Sequence, residues 1–187
     1  MVEIAQDPAA NLGRAMEMIK PAEEQVQEWI AYLRSGKVKL GVGLLRDGDD
    51  TYDPAGALAN LNMAEWEWDD DEGAYKVADG GDCMFPPAKL VGKWLGCGTS
   101  ASEARLEAFT AALAEAADGA LNMADLARLI ERCDSEWRSR EREYKRDLQE
   151  AHSRGGYRER MIGERQYYDS LDAVRPLREI MLGRRGI

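Results

Sequence analysis

Asp47, Asp49, Thr51 and Asp53 alternate with other residues as the first ligands of a calcium loop do, so cation binding is the first chemistry to consider. The pattern then departs from such a loop. Its sixth position holds Tyr52 where a glycine makes the sharp turn, and its twelfth holds Leu58 where a glutamate closes the coordination sphere. A second alternation, Asp69, Asp71 and Gly73, also lacks a distal glutamate. Both stretches read as solvated turn aspartates, and no metal or other cofactor is expected. Phosphate binding is the second chemistry, because Gly41 and Gly43 lie two residues apart in "KVKLGVGLL". A dinucleotide fingerprint needs its glycines in a turn between strand and helix, and a P-loop ends in Gly-Lys-Ser/Thr. Neither context is present, and the glycines instead let a neighbouring element approach the backbone.

Nucleophilic catalysis has little to draw on. His152 is the single histidine and lies in a charged stretch beside Gly155 and Gly156, so a Ser/His or Cys/His pair would rest on it alone. Cys83, Cys97 and Cys133 are widely spaced without a C-x-x-C pair, which fits small, reduced, buried side chains better than a disulfide framework or zinc site. Carboxylates are abundant, yet none stands out by context as a glycosidase-type pair. No catalytic residue is assigned, and the reading favours a non-enzyme.

Charge is the feature that remains. The chain of 187 residues has a net charge of −10, and residues 47–82 carry twelve carboxylates against Lys76 alone, a net of −11. From Glu131 onward, thirteen arginines and one lysine face twelve acids. An acidic body with an arginine-rich tail repels nucleic acid unless the tail engages it.

The elements that would position these groups follow from periodicity. Helices are expected over residues 8–19, 21–34, 54–61, from the prolines at 86–87 to Leu95, 102–117 and 123–132. Asp53 is placed as N-cap with Pro54 at the first helical position. Val38, Leu40, Val42 and Leu44 alternate as one face of a strand. "AEWEWDD" and "AYKVA" read as an antiparallel hairpin in which Trp66 and Trp68 share a face, at least one of them in packing. The helices at 102–117 and 123–132 could form a DNA-reading helix-turn-helix, but only Arg128 and Arg132 would face phosphates, so plain helical packing is preferred. The fold expected is α+β: a small antiparallel sheet flanked by several helices, with an arginine-rich helical C-terminal extension. Residues 1–132 form the acidic body. Residues 133–187 form the charged extension, a helical hairpin or dimerisation element in which Trp137, Tyr144 and Leu148 mark a narrow seam.

"WIAYLRSGKVKLGVGLLRDGDD", "PAGALANL", "PPAKLVGKWLG" and "ALNMADLARLIE" together resemble small uncharacterised accessory proteins of bacteriophages and prophages. Those proteins show an "LRSGKY-x-Q-G … LR-x-x-D … P-x-x-V-x-x-WLG … IAdlIE" pattern, and the resemblance covers roughly residues 26–132. Here "DPAGALA" stands where that family has paired cysteines, so any role of those thiols is lost. The resemblance implies a phage-type accessory protein and supplies no chemistry.

The function expected is therefore a non-enzymatic interaction protein whose acidic face binds and inhibits or modulates a basic host protein. A nucleic-acid-binding component of host defence fits that description, which would make the chain anti-defence and anti-CRISPR-like. The interaction residues are Asp47, Asp49, Asp50, Glu65, Trp66, Glu67, Trp68, Asp69, Asp70, Asp71 and Glu72. One alternative is a nucleic-acid-binding module working through the tail, where Trp137, Arg138, Arg142, Tyr144, Arg158 and Tyr167 would make nucleic-acid or dimer contacts. A carboxylate-based hydrolase is the other. Direct nucleic-acid binding ranks below protein binding, with a homodimer through the C-terminal helices as a further possibility. The sequence shows no membrane span or secretory leader, so a cytoplasmic location is expected, the host's if the chain is phage-encoded.

Overall fold

The computed structural model describes residues 7–78, 80–98 and 101–153. Among the described residues six helices and five short strands make an α+β fold. The helices are α1 (Pro8–Ile19), α2 (Glu23–Arg34), α3 (Pro54–Leu61), α4 (Ala88–Trp94), α5 (Glu103–Asp118) and α6 (Met123–Ser153). The strands are β1 (Lys39–Leu40), β2 (Arg46–Asp47), β3 (Thr51–Tyr52), β4 (Trp66–Asp69) and β5 (Ala74–Val77). The chain divides into two units, Met1–Trp137 and Arg138–Ile187.

In the first unit the apolar stripes meet in one core. Leu12, Met16 and Ile19 of α1 and Val26, Trp29, Ile30 and Leu33 of α2 are buried, as the 3.6-residue spacing predicts. They join Phe109 and Leu113 of α5 and Leu126 and Ile130 of α6. Trp29 meets Phe109 edge to face at 6.4 Å. The helix α3 sits deepest, with every residue from Pro54 to Ala59 buried. Its small side chains allow this close approach: a Cβ on Gly56 would lie 1.7 Å from the carbonyl oxygen of Leu45. Only glycine fits there.

The sheet has the order β1-β3-β2-β5-β4. β2 pairs antiparallel with β3 and β5, and β4 with β5, while β1 pairs parallel with β3. The sheet is thus mixed rather than antiparallel throughout. The long strand expected through Leu44 shrinks to Lys39–Leu40 for a local reason. Gly43 takes a φ of +82°, which ends the extended run, so Val42 is exposed and Leu45 is the buried residue instead of Leu44. Gly41 does permit the close approach its position suggests: Thr51 Oγ1 lies 2.4 Å from where its Cβ would be, and Gly41 N–H donates to the Tyr52 carbonyl at 2.7 Å.

The helix expected to end at Arg132 does not end there. α6 continues to Ser153, and its residues Cys133, Asp134 and Trp137 are buried. It meets α2 through an Arg34–Glu131 ion pair at 2.5 Å and α1 through Cys133, whose thiol points at the Ala9 carbonyl at 3.5 Å. Cys83, Cys97 and Cys133 are all buried and free. Burial pushes the thiols of Cys97 and Cys133 up to about 11, so neither is a thiolate at neutral pH. No helix among the described residues is long and apolar enough to cross a membrane.

Candidate interaction surface at the acidic end of the sheet

The β2–β3 turn is built by its own aspartates. Asp47 Oδ1 accepts from the N–H of Asp49 at 2.9 Å and of Thr51 at 2.8 Å, and Oδ2 accepts from Thr51 Oγ1 at 2.6 Å. The Thr51 hydroxyl above all holds the Asp47 carboxyl below its ordinary range, burial opposes the shift, and the backbone N–H groups of Thr51 and Asp49 reinforce it. Asp50 adopts the left-handed region at φ 56°, a conformation aspartate tolerates better than most residues. Its carboxylate takes Nε and Nη2 of Arg46 at 2.9 and 2.6 Å.

The β4–β5 turn repeats this plan. Asp69 Oδ1 accepts from the N–H of Asp71 at 3.1 Å and of Glu72 at 3.4 Å, Oδ2 pairs with Lys76 Nζ at 3.1 Å, and Gly73 supplies the positive φ of 64°. The Lys76 ammonium is the main cause holding Asp69 below the usual carboxylate range. Register brings the two turns together: Asp47 lies opposite Ala74, and Ala74 opposite Asp69. Both turns project from one end of the sheet, presenting exposed Asp49, Asp50, Asp70, Asp71 and Glu72.

Alternation divides the rest between two faces. Trp66, Trp68, Tyr75, Tyr52 and Arg46 occupy one, as paired positions on neighbouring strands. Tyr52 meets Trp66 at 6.1 Å and Trp68 meets Tyr75 at 4.9 Å, both edge to face. The Arg46 guanidinium lies 4.3 Å from the Tyr75 ring centroid, 5.6 Å from Tyr52 and 5.7 Å from Trp66. Glu65, Glu67, Asp69 and Asp47 lie on the other face. Trp66 is half-buried, with an indole N–H that finds no acceptor among the described residues, whereas Trp68 is 46% exposed and donates Nε1–H to Asp70 at 2.8 Å.

The eleven acidic and tryptophan positions singled out from sequence therefore separate by role. Asp47, Asp50, Asp69 and Asp70 hold local structure, Trp66 packs, and Trp68 stands exposed against Asp70. Asp49, Glu65, Glu67, Asp71 and Glu72 are exposed, and their carboxylates accept no hydrogen bond from the described residues. Arg46, the hub of the aromatic face, was not singled out; the available signal was its position as the one arginine bordering the acid-rich window.

The alternation that suggested calcium is broken up by Asp53. Its carboxylate is 4% exposed and turns inward to cap α3, accepting from Gly56 N–H at 2.5 Å. Burial pushes its carboxyl up to about 7, against the pull of the Gly56 and Ala55 N–H groups. Among the described residues no group of three or more His, Cys, Asp or Glu side chains gathers as a metal site. The other buried acid, Asp134, receives Trp137 Nε1–H at 3.2 Å.

Of the tail positions, Trp137 is corrected by its burial. It is 4% exposed and belongs to the core, so its ring is not a surface contact. Arg138 and Tyr144 on α6 are half-buried and Arg142 is exposed. Along this helix Lys145 pairs with Glu141 at 3.3 Å and Arg146 with Asp147 at 3.5 Å, so part of its basic charge is already answered by acids. Arg158 and Tyr167, and the second helix expected of the tail hairpin, lie outside the described residues. Comparison with known proteins gives no match among family models, curated proteins or solved structures.

Proposed function

We propose that this chain is a non-enzymatic, phage-type accessory protein whose acidic sheet end docks on a basic surface of a host protein and inhibits or modulates it. The observation that carries the reading is the register that sets two acidic turns side by side, with Asp49, Asp71 and Glu72 exposed and their carboxylates taking no part in the turns' own hydrogen bonds. Clustered charge of one sign accelerates encounter with a partner of the other, over a range set by a Debye length of about 8 Å at physiological salt. A surface evolved to hold phosphates is basic, so a nucleic-acid-binding defence component is the class of partner that fits. The sequence resemblance to phage accessory proteins points the same way.

Affinity capture from bacterial lysate tests the reading, using the wild type and the Asp49→Asn/Asp71→Asn/Glu72→Gln variant side by side. The expected result is a basic protein retained by the wild type, released by salt and lost from the variant. Retention that is equal on both baits and insensitive to salt would place the function elsewhere.

A further inference from the structure

The strand β4 ends the sheet, and its outer edge is unpaired among the described residues. The Ala78 N–H donates to the Glu65 carbonyl at 2.9 Å, which extends the β4–β5 register by one position and makes Glu65–Ala78 a hydrogen-bonded pair. Antiparallel ladders alternate bonded with non-bonded pairs, so Glu67 and Asp69 bond inward to β5. The N–H and C=O groups of Trp66 and Trp68 therefore point outward. Glu65, Glu67 and Trp68 are exposed along this edge.

The side chains flanking those outward groups are sorted by face. Glu65, Glu67 and Asp69 line one side of the edge and Trp66 and Trp68 the other. Acids on an edge strand repel a second copy of the same edge, since carboxylates would meet carboxylates, and they attract a cationic strand. We propose that β4 receives an extended segment of the basic partner as an added strand. The segment carries lysine or arginine at every second position, facing Glu65, Glu67 and Asp69, and apolar side chains between them against Trp66 and Trp68. Outward backbone groups set the register, the acids select the charge, and the exposed Trp68 indole supplies apolar contact. The inference rests on the docking reading above and specifies the segment it would take.

The probe is the capped peptide Lys-Val-Lys-Val-Lys-Val-Lys, titrated into the full chain at about 150 mM salt, where exposed charges alone are screened beyond about 8 Å. Controls are a block peptide of the same composition and two N-methylated forms, one modified on the valines and one on the lysines. The alternating peptide should bind about tenfold more tightly than the block peptide, one N-methylated form should lose binding, and the other should keep it. Trp68→Pro removes an outward N–H without removing a β5 ladder bond, and Glu67→Lys reverses a charge. Each should weaken the alternating peptide about tenfold with the circular dichroism spectrum unchanged.

Equal binding of all four peptides, lost in Asp71→Asn/Glu72→Gln, would overturn the edge inference and leave the docking reading standing. Absence of any peptide binding by the folded chain at low salt would end both. Self-association that competes with the peptide would identify the occupant as a second copy and also overturn the proposal.

Discussion

Two regions of the stretch from Asp47 to Asp53 hold the same residue type and give it opposite fates. At the sheet end Asp49 and Asp50 stand in water, and the Asp47 carboxyl is held below its ordinary range by Thr51. Three residues past Asp50, Asp53 is enclosed at the start of α3, and burial drives its carboxyl up to about 7. Chemical identity is the same, and the dielectric surroundings and the donors within reach decide the charge. Asp49 and Asp50 stay in water because the fold does not enclose them. Asp53 serves the fold and is withheld from any partner.

The sharpest way to break this contrast is at the buried end. Gly56→Ala would push a methyl into the Leu45 carbonyl, a rigid backbone group, and is expected to cost at least about 3 kcal/mol, read by urea unfolding. Unchanged stability would mean that α3 is not seated under Leu45.

The next effect is one of pH. Asp53 is raised from 3.8 to about 7 on folding, so its contribution is fully favourable below the unfolded value and is lost as pH rises through about 7. Asp47, Asp69 and Glu131 are lowered on folding, so their contribution is present above their unfolded values and is lost in acid. Stability should therefore decline from about pH 4 to 7 in the wild type. In Asp53→Asn that decline should vanish, with a gain of about 2 kcal/mol at pH 8 and little change at pH 4, since the amide keeps the capping acceptor without the buried charge. A decline that survives the substitution would show that another group titrates there.

The exposed end should respond in the reverse manner. Asp47→Asn gives the Asx turn a weaker acceptor for two N–H groups and a hydroxyl, and should cost about 1 kcal/mol. Asp49→Asn/Asp71→Asn/Glu72→Gln should leave thermal stability within about 0.5 kcal/mol while slowing association with a basic partner. If that triple variant were destabilised as much as Asp47→Asn, the division between turn-building and exposed acids would fail.

Much of the local architecture was legible before the fold. α1 and α3 occupy the expected residues, and α2, α4 and α5 agree to within a residue or two. Short-range signals decide these boundaries: apolar residues three and four apart, Pro54 and the Asp53 cap, Gly96 after α4. The β4–β5 hairpin was equally readable, because Trp66 and Trp68 alternate with glutamates up to an acidic turn that "AYKVA" follows.

Tertiary structure settled what depends on partners distant in sequence. Whether "KVKLGVGLL" stays extended depended on Gly43 turning to a positive φ and on Thr51 arriving over Gly41, neither of which periodicity records. Trp137 looks like part of the narrow seam of a separate extension until α6 runs on without a break and carries it into the core. The sequence alone determined the amount and order of acidic charge between Asp47 and Asp82. Pairing of β2 with β5 decided which acids lie together, and the enclosure of α3 decided which carboxyl is raised to about 7, because solvation and hydrogen-bond donors are distributed by packing rather than by sequence order.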